Sequence, residues 1–282
     1  MTTVVLLHPG AMGAPLAGHV VARGHRVLWV AEGRSPRTRQ RAGSAGLEPC
    51  DTLGEALERG STVLSVCPPH AAEEVAGRVA ALGWRGVYVE ANAVSPQRVR
   101  RIAEVLAGCS VVDGAIIGPP PAGGRTARLY LAGAAPLVAS VASLFAGTGV
   151  RVRSAGDEVG SASALKMAFA GYQKSARALA GIAHALAAHH GVAELLTEEA
   201  RTHSPPILAD PGYLPSVAAR AWRWGPEMDE IADTLRAARL PAEPAEAIGR
   251  VLDRWSTAKD QDLPLDTVLT GLHDTPDPGD AP

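Results

Sequence analysis

Val4-Val5-Leu6-Leu7-His8-Pro9-Gly10-Ala11-Met12-Gly13 decides how this chain is read. Four apolar residues run without alternation, as in a strand buried on both faces. A short turn follows, and then a helical pattern reaches Arg23, where Gly24-His25 ends it. The turn fits G-x-G-x-x-G at its second and third glycines, with His8 in the first position. Gly10 lets a backbone approach a pyrophosphate, and Gly13 lets the helix lie close to the sheet. The helix N-terminus adds unpaired N–H groups and a positive dipole end. A tight strand-to-helix turn with no ligand fits the same residues.

Working outward, the pattern repeats. Arg26–Ala31, Ser61–Cys67, Gly86–Glu90 and Ser110–Asp113 read as strands, and Pro69–Leu82 and Pro96–Ala107 as helices. The fold class is therefore α/β, an N-terminal doubly wound parallel sheet over residues 1–156. Such sheets bind ligands beyond the carboxyl ends of their strands. That edge carries residues 8–13 (Pro9, Gly10, Ala11, Met12 and Gly13 among them), Cys67-Pro68-Pro69, and Ala91-Asn92-Ala93. After the second strand, Glu32 stands where a carboxylate takes the ribose hydroxyls of NAD. Arg34 and Ser35 follow at once, a guanidinium fork and a hydroxyl suited to a 2′-phosphate. NADP is expected over NAD, with a solvated helix face as the other explanation for Arg37, Arg39 and Arg41.

Residues 157–274 read as an all-α domain opened by a long interdomain helix from Glu158 to about His190. About 30 residues span about 45 Å, more than one small domain needs. Its many Ala and Gly residues allow close helix contact, so a homodimer through this domain is expected. Trp222, Trp224 and Met228, with Tyr213 and His203 upstream, fit either an aromatic core or a substrate pocket. Pro226 followed by Glu227-Met-Asp-Glu230 reads as the acidic first turn of a helix. His184, His189 and His190 lack partners at ligating spacing, and no metal is expected. Residues 275–282 read as a flexible tail.

Only three of the 27 cationic residues are lysines, and Lys166 and Lys174 share the long helix. Lys166 lies in Gly160-Ser-Ala-Ser-Ala-Leu-Lys-Met-Ala-Phe169, small and apolar apart from itself. A lysine, unlike an arginine, can give up its proton when burial destabilises the ammonium. It reads as a proton carrier, or as an apolar stem with its head in water. The formal charge of -2 argues against a nucleic-acid or anionic-membrane partner. Cys50, Cys67 and Cys109 are scattered and odd in number, as reduced thiols in a cytoplasm would be. The N-terminus lacks the features of a signal peptide, and no apolar stretch reaches membrane-spanning length.

Gly10-Ala-Met-Gly13, Gly24-His25, Val66-Cys-Pro-Pro69, Asn92 with Ser95-Pro96, Asp113-Gly-Ala-Ile-Ile-Gly118 and the Lys166 segment follow one another in a specific order. In that order and spacing the chain resembles the β-hydroxyacid dehydrogenase and 6-phosphogluconate dehydrogenase superfamily, with imine reductases as a neighbouring branch. The resemblance implies a Rossmann domain before a helical domain, whose long helix brings a catalytic lysine, here Lys166, to the nicotinamide. It puts Pro68, Pro69 and Asn92 near the nicotinamide ribose, and Asp113, Ile117, Gly118 and Pro119 in the substrate loop. Relatives acting on hydroxyacids carry Asn where this chain has Ala170. The sugar-acid decarboxylases carry His and Glu where it has Phe169 and Gln173. Imine reductases carry Asp or Tyr at the place of Lys166. Ile117 replaces a serine, and Pro119-Pro120-Pro121 removes backbone donors that would hold a carboxylate. The expectation is NADP-dependent hydride transfer to a carbonyl or imine carbon of a small, relatively apolar substrate. Lys166 acts as general acid and base, with Asn92 and Gln173 assisting. A non-catalytic NADP-binding sensor is the competing expectation.

Overall fold

The computed structural model describes residues 1–203 and 210–273, so the expected tail lies outside the described residues. The chain forms two compact units, Met1–Met167 and a second from Ala168 onward.

In the first unit the strands are β1 (Thr3–Leu6), β2 (Arg26–Val30), β3 (Glu48–Cys50), β4 (Thr62–Ser65), β5 (Val87–Glu90), β6 (Ser110–Ile117), β7 (Ala127–Ala132) and β8 (Val150–Ser154). They form one sheet in the order β3-β2-β1-β4-β5-β6-β7-β8. All neighbours are parallel except β6 and β7. Helices α1 (Gly13–Ala22), α2 (Pro36–Ser44), α3 (Leu53–Arg59), α4 (Ala72–Ala81), α5 (Pro96–Val105) and α6 (Ala135–Ser143) complete the layers.

Both sheet faces are buried. Val4 and Leu6 pack with Leu16 and Val20 of α1 and Val141 of α6. Val5 and Leu7 face the other way, toward Ala76 of α4 and Ile102 of α5. Unbroken apolar runs follow directly from having two covered faces.

The sheet is larger than the expected one, and three differences matter. β6 does not stop at Asp113 but continues through Gly114-Ala-Ile-Ile117, pairing antiparallel with β7. The expected substrate loop is therefore strand as far as Ile117. β7 and β8 extend the sheet beyond the five strands expected, and β3 adds a short edge on the other side.

Helix α7 (Ser161–His189) is the expected long helix, and α8 (Ala193–His203) follows it. In the second unit, Pro226 does not open a helix. It lies inside a 24-residue helix, Leu214–Ala237, which packs on Glu243–Asp253. The apolar face either side of Pro226, Ala221 and Gly225 before it and Met228 and Ile231 after, is buried. Packing of that face outweighs the one backbone hydrogen bond a proline removes. The expected aromatic cluster separates in the same helix. Met228 is core, whereas Trp222 is exposed beneath the Lys259 ammonium, 3.9 Å from its ring centre. The side chain of His203 lies outside the described residues. Lys174 is buried in an ion pair with Glu227 at 2.7 Å.

Candidate active site

Strand order reverses between β1 and β4, so the connections from these two strands leave in opposite directions and open a crevice at their carboxyl ends. The loop after β1 is shaped by its glycines. A Cβ on Gly13 would sit 2.5 Å from the His8 carbonyl oxygen and 3.4 Å from Val66 of the neighbouring connection. Only glycine fits there. The Gly10 N–H donates to the His8 carbonyl at 2.8 Å, closing the turn. No side chain caps α1 and no acidic residue stands in its first turn. An uncapped helix N-terminus behind a glycine cradle suits the pyrophosphate of a dinucleotide, and the residues present fit that group.

His8 takes an active part in this loop. Its ring lies over Gly10, 3.0 Å from where a Cβ would be. Arg34 folds back across it, with Nη1 2.9 Å from His8 Nδ1 and Nη2 donating to the Leu7 carbonyl at 3.1 Å. Burial pushes the imidazole below its ordinary range, and the charges of Arg34 and Arg41 push the same way. Arg34 is itself held down by burial and by the charge of Arg78. Among the described residues, no carboxylate lies within 4.0 Å of Arg34, Arg41 or Arg78. A basin of cationic side chains thus borders the phosphate loop. Ser35, expected beside a 2′-phosphate, is exposed, and its hydroxyl accepts from the Thr38 N–H at 3.3 Å as the N-cap of α2.

The β4 and β5 connections are joined by Asn92. Its Oδ1 accepts from the Cys67 N–H at 2.5 Å and its Nδ2 donates to Ser65 Oγ at 3.0 Å. Asn92 was expected as a catalytic and cofactor-binding side chain. In the structure it is a buried brace holding the Cys67-Pro68-Pro69 segment, with a hydrogen bond at each end of its amide. Burial pushes the Cys67 thiol up to about 11. Behind Asn92 stands Glu90, which accepts the Asn92 N–H at 3.0 Å through Oε1. Its Oε2 is buried without a hydrogen-bond partner. Burial pushes this carboxyl up to about 8, with Asp113 on the adjacent strand adding to the shift. The signal in the sequence is a lone carboxylate ending an apolar run, Val87-Tyr-Val-Glu90.

Asp113 was expected to meet the substrate, and the structure gives it other work. The side chain is fully buried. Its Oδ2 accepts from the N–H groups of Gly160 and Ser163 at 2.9 and 3.0 Å, and its Oδ1 accepts from Ser163 Oγ at 2.7 Å. These are the free donors at the start of α7, so Asp113 caps that helix from a strand 47 residues away. Burial raises its carboxyl, and the donors pull it part of the way back. Three residues along β6, the Ile116 carbonyl accepts from Lys166 Nζ at 2.9 Å. Lys166 is half-buried. One strand therefore fixes both the first turn of α7 and the ammonium it carries.

Ile117 is a buried strand residue, opposite Arg128 of β7, and not a loop side chain. Gly118 and Pro119 are exposed, with Gly118 at φ +119, where a side chain would be strained. Gln173 belongs to the second unit, where its Oε1 accepts from Arg177 Nη1 at 2.6 Å.

The fold and this crevice define a dinucleotide-binding protein. The sequence profile of the NAD binding domain of 6-phosphogluconate dehydrogenase matches residues 5–156, and that of a domain of unknown function matches residues 187–255. The chain belongs to the 6-phosphogluconate dehydrogenase-like β-hydroxyacid dehydrogenase family of NAD(P)-dependent oxidoreductases. Among solved structures it is similar to a conserved protein of unknown function described as resembling 3-hydroxyacid dehydrogenases (28% identity over 91% of this chain and 97% of that one, TM-score 0.67). It is also similar to the Mycobacterium tuberculosis 3-hydroxyisobutyrate dehydrogenase solved with L-serine (18%, 97% and 100%, TM-score 0.74). A third is the Aspergillus terreus reductive aminase solved with NADPH and ethyl levulinate (19%, 97% and 100%, TM-score 0.57). No curated protein matches the chain in sequence.

Proposed function

We propose that this protein is an NADP-dependent reductase or dehydrogenase acting on the carbonyl or imine carbon of a small, relatively apolar substrate, with Lys166 as general acid and base. The observation that carries this reading is the Lys166 ammonium, held on the Ile116 carbonyl in the same compact unit as the phosphate loop. The bound dinucleotide supplies the hydride. Lys166 supplies the proton to the substrate oxygen or nitrogen as negative charge builds there. In the reverse direction the neutral amine accepts that proton. The Ile116 carbonyl keeps the ammonium aimed until a substrate atom replaces it.

NADP is favoured over NAD by Arg34 and the cationic groups around it, against the exposed carboxylate of Glu32, which would suit the ribose hydroxyls of NAD. One of the matched structures also holds NADPH. An apolar substrate is favoured by Pro119-Pro120-Pro121, which offers no N–H to a carboxylate. The test is NADPH consumption with a panel of ketones and cyclic imines. Lys166→Met should bind NADPH normally and lose at least about 100-fold in turnover. A Lys166→Met enzyme with full turnover would remove the mechanism, and binding without turnover across the panel would favour a sensor.

The partner we propose is a second copy. Along α7, Leu165, Tyr172, Leu179 and Leu186 recur every seven residues and are all exposed. A seven-residue apolar seam is the pattern by which one helix packs along another. A groove of about 760 Å³ between the end of α7 and α8 continues it, lined by Ala183, Leu186, Val192 and Leu195. Light scattering should give a dimer, and Leu179→Glu should give a monomer.

A further inference from the structure

The phosphate loop contains a residue that a phosphate loop does not need. A glycine at position 8 would serve the turn. An imidazole stands there instead, over Gly10 and bonded to Arg34. An arginine is always protonated and can only donate. His8 Nδ1 is therefore the acceptor of that bond, and its proton, in the neutral ring, sits on Nε2. We propose that His8 is a specificity-determining residue for 2′-phosphorylated dinucleotides: it stores Arg34 on the phosphate loop in the free protein, then takes up a proton as the phosphate draws Arg34 away. This rests on the cofactor reading above and adds to it a device for telling NADPH from NADH.

The charges around His8 supply the coupling. Arg34 from the loop after β2 and Arg41 from α2 act on His8 directly. Arg78 from α4 and Cys67 from the β4 connection act on Arg34. Cys67 is a neutral thiol near pH 7, since its pKa lies at about 11. Without a ligand every charge facing His8 is positive, and the ring stays neutral at pH 7. A 2′-phosphate brings close to two negative charges at that pH. It pairs with Arg34 in bidentate fashion, frees Nδ1, and reverses the sign of the field on the imidazole. The ring then binds a proton from solvent and becomes a second donor to the phosphate. NADH brings no charge to this spot and leaves the Arg34–His8 pair in place.

The sign of the pH dependence follows. His8 has the lower pKa in the free protein and the higher one in the complex, so NADPH binding consumes a proton between the two. Affinity for NADPH then falls as pH rises through the higher value, by at most tenfold per pH unit, while affinity for NADH stays flat. Below about pH 6 the 2′-phosphate itself titrates and opposes the trend, so the measurement belongs at pH 7 to 8.

Calorimetric titration of the full chain with NADPH and with NADH, in two buffers of different ionisation enthalpy, counts the protons taken up. Approaching one proton is expected for NADPH and none for NADH. His8→Gly, which completes the glycine fingerprint, should still bind NADPH, take up no proton, and lose roughly tenfold of the preference over NADH. His8→Asn keeps an acceptor for Arg34 but cannot titrate, and should also take up no proton. NADPH binding without proton uptake, or equal uptake in His8→Gly, overturns the inference and leaves the cofactor reading intact. Failure of both dinucleotides to bind overturns the two together.

Discussion

Two helices of this protein begin beside strands of the sheet, and their starts are treated in opposite ways. After β1, the start of α1 is left without a side-chain cap and without a carboxylate. Beside β6, the start of α7 is closed by Asp113, which takes three donors at 2.7 to 3.0 Å. The first suits an anion from outside. The second is a fixture, with its anion supplied by the chain. The difference separates an end that could bind from one that positions: α1 keeps its donors open, and α7 starts closed, one turn before Lys166 meets the Ile116 carbonyl.

The largest effect should come from opening the closed end. Asp113→Ala strands two backbone N–H groups and the Ser163 hydroxyl in the interior. Each buried donor left alone costs about 1 to 3 kcal/mol, so a loss of at least about 3 kcal/mol is expected from denaturant unfolding. Asp113→Asn keeps an acceptor for the backbone donors and should recover part of it. If Asp113→Ala unfolds at the same denaturant concentration as the native chain, the cap is not holding α7.

Glu90 provides the next comparison, because it neighbours Asp113 across the ladder yet has one donor where Asp113 has three. Its folded pKa of about 8 lies above the ordinary carboxylate value of 4.5. Between those values the folded protein holds a proton that the unfolded chain has lost. Stability contributed by the neutral acid is therefore complete below pH 4.5 and declines as pH rises toward 8. The slope is at most about 1.4 kcal/mol per pH unit. Glu90→Gln mimics the protonated acid and should flatten that decline, as thermal melts at pH 5, 6.5 and 8 would reveal. Parallel curves for the two proteins would mean that Glu90 is ionised in the fold.

The open and closed ends also differ in how well the sequence displays them. The α1 loop announces itself because its requirement is the absence of a side chain, and Gly13 is the one residue that fits 2.5 Å from a carbonyl. The role of Asp113 depends on donors 47 and 50 residues away and on β6 running past it, which no local pattern encodes. β3, three residues containing Pro49, has no periodicity to detect. β7 does alternate, Ala127 and Leu129 buried and Arg128 exposed, as a sheet strand should. The bracing bonds of Asn92 were not legible, since an amide reads alike whether it faces a ligand or the strand beside it.

Charging the open end tests the comparison from the other side. Ala11 is exposed at the mouth of α1. Ala11→Asp gives that helix the carboxylate it lacks and puts it where the pyrophosphate would lie. Stability should hold or rise by about 0.5 kcal/mol through the helix dipole. Dinucleotide affinity should fall at least about tenfold, for NADPH and NADH alike. An unchanged affinity would place the phosphates elsewhere.

The smallest effect belongs to a third kind of helix start, intermediate between the two. Ser35 caps α2 with its own hydroxyl, which accepts from the Thr38 N–H and lies 3.1 Å from the Thr38 hydroxyl. A serine there can serve the helix and a 2′-phosphate together, whereas Arg34 caps no helix and is held on His8 Nδ1 and the Leu7 carbonyl. Ser35→Ala should cost about 1 kcal/mol of stability as a lost cap. The NADPH-to-NADH preference should move little, because a guanidinium meets a phosphate with two charge-assisted bonds and a hydroxyl with one neutral donor. Arg34→Ala, which also gives up the bonds to His8 and the Leu7 carbonyl, should remove most of the preference. Matched titrations of both variants with the two cofactors would tell whether Ser35 acts chiefly as cap or as ligand. A larger loss of preference in Ser35→Ala than in Arg34→Ala would make the hydroxyl the discriminating group.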